Sequence, residues 1–105
     1  MFVSGQSIKG ISTAIASGTN AGATATISAN STLRHHCLKI VGYTDLASTI
    51  QLKDGSTVLF TTQTGAGGFF LNIDGDYIGT VNTAMSAVLT SSTAVCSISI
   101  SAAQL

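Results

Sequence analysis

Residues 48–62, STIQLKDGSTVLFTT, decide how the rest of the chain is read. Two runs rich in Thr, Ile, Leu, Val and Phe flank Asp54-Gly55, a dipeptide that marks a tight hairpin between alternating apolar positions. A two-residue Asp54-Gly55 loop would pair Ile50 with Leu59. A type I turn followed by a bulge at Gly55 pairs Ile50 with Val58 instead. The second register places Ile50, Leu52, Val58 and Phe60 on one face and Gln51, Thr57 and Leu59 on the other, so hydrophobic pattern and turn chemistry agree. In this reading Asp54 is a turn residue and Gly55 supplies a positive φ.

The same period of two recurs on both sides of the hairpin. In SGTNAGATATISANST, Ala23, Ala25, Ile27 and Ala29 alternate with Thr24, Thr26 and Ser28, which predicts a strand near 22–29 with small side chains inward. LRHHCLKIVGYT, residues 33–44, is a longer strand with Leu38 and Ile40 on one face and Cys37, Val41 and Tyr43 on the other. Apolar residues at both parities imply cover on both sides, one face by the core and the other by a neighbouring subunit or loop. TTQTGAGG reads as a flexible glycine-rich loop over 63–68, followed by FFLNI with Phe69, Leu71 and Ile73 facing one way. DGDYIG carries a second Asp-Gly turn. TAMSAVLTSS is too rich in Thr, Ser and Val for a helix and predicts a loop and a strand near 86–90. Finally TAVCSISISA alternates Ala94, Cys96, Ile98 and Ile100 with Val95, Ser97, Ser99 and Ser101.

Seven or eight short strands separated by turn signals, with no convincing helix, give the expected fold: all-β, an antiparallel β-sandwich of jelly-roll type with about eight strands. Residues 1–20 form an N-terminal arm, or an edge strand near Ile8 to Ala16, and 21–105 the sandwich domain. At 105 residues the chain is one domain, large enough to bury a core without disulfides. Cys37 and Cys96 are read as buried thiols, with pairing left open.

Only 8% of the residues are charged, 45% are hydrophobic and the formal net charge is zero. Ordinary domains carry roughly 25% charged residues, so solubility here rests on fourteen Ser and fifteen Thr and on cover by other subunits. There is no proline and little charge to protect sheet edges, which points the same way. Lys9, Arg34, Lys39 and Lys53 are scattered, so nucleic-acid binding is not expected. No apolar run approaches a membrane span, and Ile11 to Ala16 is too short for a signal-peptide core.

Candidate chemistry is sparse. His35, His36 and Cys37 are the only cluster of metal-ligand types; His35 and Cys37 share a strand face, but a site would need a further ligand such as Cys96 or an aspartate. The reading adopted is that the histidines pack or hydrogen-bond at a strand entry. Asp74-Gly75-Asp76 is read as a turn, because a calcium loop needs a distal glutamate and this chain has none. Nucleophile and phosphate-loop motifs are absent, and GAGG at 65–68 has no following lysine. No catalytic, metal or cofactor-binding residue is assigned, and an enzyme is not expected. A sugar site built on Tyr43 or Tyr77 with Asn72, Asp74 and Asp76 is the strongest binding alternative.

The order ATATISANSTLRHHCLKIVGYT, IQLKDGSTVLF, TGAGGFFLN, DGDYIGT and AVCSISISA, over about residues 22–102, resembles the small jelly-roll decoration, or cement, proteins of tailed-phage capsids. It departs from similar sequences at VNTAMSAVL, which lacks the proline and Gly-Glu turn they often carry before the penultimate strand. The resemblance implies a homotrimer on the capsid exterior, made in the host cytoplasm, whose partners are itself and the major capsid protein. It also implies that residues 1–20 and one end of the sandwich grip neighbouring capsid subunits. A tail, collar or fibre-base component is the nearest variant of this reading.

Overall fold

The computed structural model describes residues 8–19, 22–90 and 95–105. The described residues are all-β and form eight strands: β1 (Gly10–Thr19), β2 (Ala23–Ile27), β3 (His35–Thr44), β4 (Ser48–Asp54), β5 (Thr57–Thr64), β6 (Gly67–Asn72), β7 (Met85–Thr90) and β8 (Val95–Gln104). They form two four-stranded antiparallel sheets, β1-β8-β3-β6 and β2-β7-β4-β5. The pairs β1/β8, β2/β7, β3/β6 and β4/β5 are all hydrogen-bonded, so the chain is one long ribbon of paired strands wound into a sandwich, the jelly-roll topology. Successive connections cross between the sheets, apart from the β4–β5 hairpin.

The alternation that predicted the strands also builds the core. Ala23, Ala25 and Ile27 of β2, Ile50 and Leu52 of β4, Met85, Ala87 and Leu89 of β7, and Cys96, Ile98 and Ile100 of β8 are buried between the sheets. Gly42 of β3 sits where a Cβ would overlap the Ser97 carbonyl oxygen and the Phe69 ring, so the backbone there must be bare.

Of the segment expected as arm or edge strand, Gly10–Thr19 is strand β1, paired along its whole length with β8 at the edge of its sheet. Residues 1–7 lie outside the described residues, as does Ala94 of the predicted last strand. The predicted glycine-rich loop is mostly strand. Thr61–Thr64 belong to β5 and Gly67 opens β6 with φ 116°, leaving Gly65-Ala66 as the crossing between sheets.

Two registers differ from the sequence reading, each through a bulge. In the hairpin, Leu52 faces Phe60, Lys53 faces Val58 and Asp54 faces Thr57, while Leu59 is the extra residue. The loop is Gly55-Ser56, with positive φ at Gly55 alone (60°), the pattern of a type II′ turn. Ile50 thus faces Thr62, Val58 points outward, and Leu59 packs on the core beside Phe60. Asp54 is held in the strand because its carboxylate accepts from the Thr80 N–H at 3.1 Å and the Thr80 hydroxyl at 2.7 Å, while the Gly55 N–H donates to the Ala84 carbonyl at 2.8 Å. In β3 the ladder to β8 shifts between Cys37 and Lys39, so Leu38 is the bulged residue. Its carbonyl accepts the N–H groups of both Ile73 and Asp74. The bulge turns Cys37 and Ile40 to the same, inner face, and separates Cys37 from Val41 and Tyr43, with which the uninterrupted period had grouped it.

Candidate functional site

The end of the sandwich where β3 begins and β8 finishes gathers most of the chemistry-bearing side chains. His35 is buried there between the sheets. Its Nε2 donates to the Ser28 carbonyl at 2.9 Å and its Nδ1 accepts from the Gln104 amide at 2.9 Å. The Gln104 amide also donates to the Ala102 carbonyl, and its Oε1 accepts from the Ser12 hydroxyl. His35 is therefore a structural tie between the β2–β3 connection and the end of β8, and Gln104 is a partner that no pattern in the sequence announced.

His36 points the other way, opposite Ala103, and a bridge to Ile78 brings segment 73–79 over it. The Cys37 N–H donates to the Tyr77 carbonyl and the Gly79 N–H to the His35 carbonyl, so this segment takes the place of a neighbouring strand. Burial holds the His36 imidazole below its ordinary pKa, with nearby cationic groups such as Arg34 adding to the effect. Cys37 is fully buried, and burial pushes its thiol up to about 12. A thiol so placed is inert as a nucleophile.

Cys37 lies opposite Ala102 and Cys96 opposite Thr44, at the two ends of the β3/β8 ladder. Six residues of strand put them about 20 Å apart, far beyond disulfide reach. Both are buried thiols. Among the described residues no three His, Cys, Asp or Glu side chains converge where a metal ion could be held.

Two of the aspartates, Asp45 and Asp54, have carboxylates that accept from the chain itself. Asp54 binds Thr80, and Asp45 closes the opposite end by accepting from the Val95 N–H at 2.9 Å. Asp74 (φ 52°) and Gly75 (φ 80°) are the two central residues of a tight turn closed by the Asp76 N–H on the Ile73 carbonyl, the backbone signature of type I′. The tyrosines do not share a site. Tyr77 lies by this turn with its ring 4.9 Å from that of Phe60, whereas Tyr43 faces Gly68, four residues along β6 from Asn72 and so about 13 Å away. Of the residues read as a sugar site, Tyr77 stays beside the Asp74-Gly75-Asp76 turn and Tyr43 is remote from Asn72.

What is assembled is a pair of unlike outer faces. On the sheet containing β1, a row runs Ile15, Ser99, Val41, Phe70, flanked by the rows Thr13, Ser101, Lys39, Asn72 and Ser17, Ser97, Tyr43, Gly68. Ile15 is 75% exposed, Ile11 63% and Phe70 62%, and Lys39 is the one charge in these rows. On the other sheet the corresponding rows are Thr24, Val88, Gln51, Thr61 and Thr26, Ser86, Lys53, Val58. Hydroxyl and amide groups there bond to one another, as in Thr26 to Ser86 at 3.1 Å and Gln51 to Thr61 at 3.4 Å. An open recess of about 270 Å³ at the far end of this sheet is lined by Ala47, Ser48, Thr49, Gln63, Thr64 and Thr90, all uncharged.

The β3 part of this face, Val41 and Tyr43, is the second apolar face that the sequence assigns to that strand; the β1 part is not assigned there, although Ile11 and Ile15 occupy one parity while Ala14 and Ala16 occupy the other. Comparison of the chain with known protein families, curated proteins and solved structures gave no match.

Proposed function

We propose that this chain is a bacteriophage virion structural protein, a homotrimeric decoration protein that binds the outside of the capsid shell and stabilises it. The observation that carries the reading is the outer face on which Ile15, Tyr43 and Phe70 stand exposed among serines, threonines and a single lysine, on a jelly roll with no cluster of reactive side chains among the described residues. Such a surface fits a protein that works by contact rather than by chemistry. Its low charge fits the same role, because each copy would meet both its own kind and a lattice. Many weak contacts repeated over a shell sum to strong attachment, since each further contact of a tethered copy is effectively intramolecular. In this reading β1 is part of the sandwich.

The test is co-sedimentation of the purified protein with shells assembled from the major capsid protein of the phage that encodes it. Saturable binding at three copies per threefold or quasi-threefold position is expected, with shells that resist heat better when decorated. Absence of binding to expanded shells would overturn the proposal.

A further inference from the structure

We infer that His35 and Gln104 form a proton-operated switch: when His35 takes up a second ring proton, the Gln104 carboxamide turns over and releases the Ala102 carbonyl, loosening the end of the sandwich where β1 meets β8. The device belongs to the folded chain and is independent of what the protein binds.

Its basis is the hydrogen-bonding capacity of the two side chains. His35 is 2% exposed, and both of its ring nitrogens are engaged. The Ser28 carbonyl can only accept, so Nε2 must carry a proton. A neutral imidazole has one N–H, which leaves Nδ1 bare and able only to accept. The Gln104 carboxamide must then turn its NH2 toward Nδ1, as it does at 2.9 Å. Its other N–H reaches the Ala102 carbonyl at 3.2 Å, and its Oε1 receives the Ser12 hydroxyl at 3.3 Å. Ring charge and amide orientation are therefore locked together, and all four bonds coexist only while the ring is neutral.

A proton on Nδ1 makes that nitrogen a donor facing the Gln104 NH2. Half a turn of the carboxamide resolves the conflict. Oε1 then accepts from Nδ1 in a charge-assisted bond, and the NH2 donates to the Ser12 oxygen, which can accept as well as donate. Ala102 is the loser: its carbonyl, at a fully buried residue, is left facing Oε1 without the amide donor. Strands β1, β2, β7 and β8 bring no charged side chain to this end. The charged or titratable groups around it are Arg34, His36 and Cys37 along the chain, the Leu105 carboxylate beyond Gln104, and Lys9, whose N–H donates to the Gln104 carbonyl. From β4 comes Asp54, held by Thr80 next to Gly79, whose N–H donates to the His35 carbonyl. Asp74, Asp76 and Tyr77 belong to the segment bridged to His36. None of these groups bonds the His35 ring, whose nitrogens are filled by Ser28 and Gln104.

The test is NMR on the 15N-labelled full chain carrying His36→Gln, so that His35 is the histidine that titrates, with circular dichroism to establish that it is folded. Should that variant not fold, the unsubstituted chain serves, because the two imidazoles give separate signals. At pH 8 Nε2 is expected protonated and Nδ1 bare, with the Gln104 NH2 in contact with the His35 ring. As His35 gains its proton in acid, those contacts should pass from the ring to Ser12. The backbone amides of Gly10 to Ser12 and Ala102 to Gln104 should then exchange about tenfold faster, after correction for the intrinsic effect of pH, the loss of roughly one hydrogen bond. Amides beside Thr44 and Cys96, at the other end of the β3/β8 ladder, should keep their rate. Gln104→Glu places an acceptor at Nδ1 permanently and should abolish the change in exchange. A Gln104 carboxamide that keeps its contacts while His35 becomes charged overturns the inference. So does a His35 that stays neutral until the chain unfolds, or a folded Gln104→Glu chain whose exchange at this end still rises in acid.

Discussion

The two outer faces of this sandwich are built by the same chain with the same alternation and each carries Ser, Thr and one lysine, yet one adds Gln51, Val58 and Val88 and the other Ile11, Ile15, Val41, Tyr43 and Phe70. On the β2-β7-β4-β5 sheet the outward positions Thr24, Thr26, Gln51 and Thr61 are β-formers that water can solvate. On the β1-β8-β3-β6 sheet Ile15 and Phe70 are β-formers that water cannot. Strand propensity is satisfied equally by both. What differs is the apolar surface left exposed on the monomer, which the fold does not require.

The largest effect should come from the layer the two faces share. Leu52 and Ile100 are fully buried between the sheets, one from each. Leu52→Ala or Ile100→Ala should cost about 3 kcal/mol, through lost transfer energy and a residual cavity, and unfold both sheets in one transition. Chemical denaturation of the isolated variants checks this. If either change were neutral, the outer faces rather than the core would be holding the monomer together.

Next is Gly42, where the inner side of β3 meets Phe69. Gly42→Ala would drive a methyl into a backbone carbonyl that cannot rotate away. A loss of about 2–3 kcal/mol is expected, read from the shift in the denaturation midpoint. A stable Gly42→Ala protein would mean that β3 and β8 lie farther apart than this structure places them.

These positions also show how far the sequence could be read. The strands, the all-β jelly roll and most of the core followed from alternation at Ala23, Ala25 and Ile27, at Ile50 and Leu52, and at Ile98 and Ile100. Register did not, because a bulge adds one residue without disturbing local composition. Leu38 and Leu59 are both such residues, and each reversed the facing of its neighbours. Asp54-Gly55 misled for a related reason: its turn signal is real, but Thr80 and Ala84, remote in sequence, shift the loop by one residue. The His35–Gln104 bond spans 69 residues and has no local signature. The facing of Ile11 and Ile15 was hidden because an isoleucine reads the same whether it points into the core or outward.

A third, smaller effect distinguishes inside from outside on β3 by pH. The Cys37 thiol titrates near 12 in the fold and near 9 when free, so above pH 9 the unfolded chain loses a proton that the folded chain keeps. Stability is intact below pH 9 and should fall by about 1 kcal/mol per unit from there toward pH 12. Cys37→Ala should remove that slope, and thermal unfolding at pH 8 and pH 10 compares the two. His36 acts in the opposite range. Its depressed pKa means that the unfolded chain takes up a proton first, so stability should decline as pH drops below about 6.5, and His36→Gln should flatten that decline.

The smallest effect on the monomer bears most directly on the comparison. Ile15→Thr gives the apolar face the chemistry of its opposite, and Thr24→Ile does the reverse. Both side chains are β-branched, both positions are outward on edge strands, and neither touches the core, so each exchange should alter monomer stability by less than about 0.5 kcal/mol. Denaturation at concentrations below those of assembly measures this. On the proposed function their effects on shell binding should nevertheless be unequal: Ile15→Thr weakens it, and Thr24→Ile leaves it as it was. If Ile15→Thr instead destabilised the isolated monomer by more than 1 kcal/mol, that isoleucine would be packing against its own chain, and the two faces would differ because of the fold rather than because of a partner.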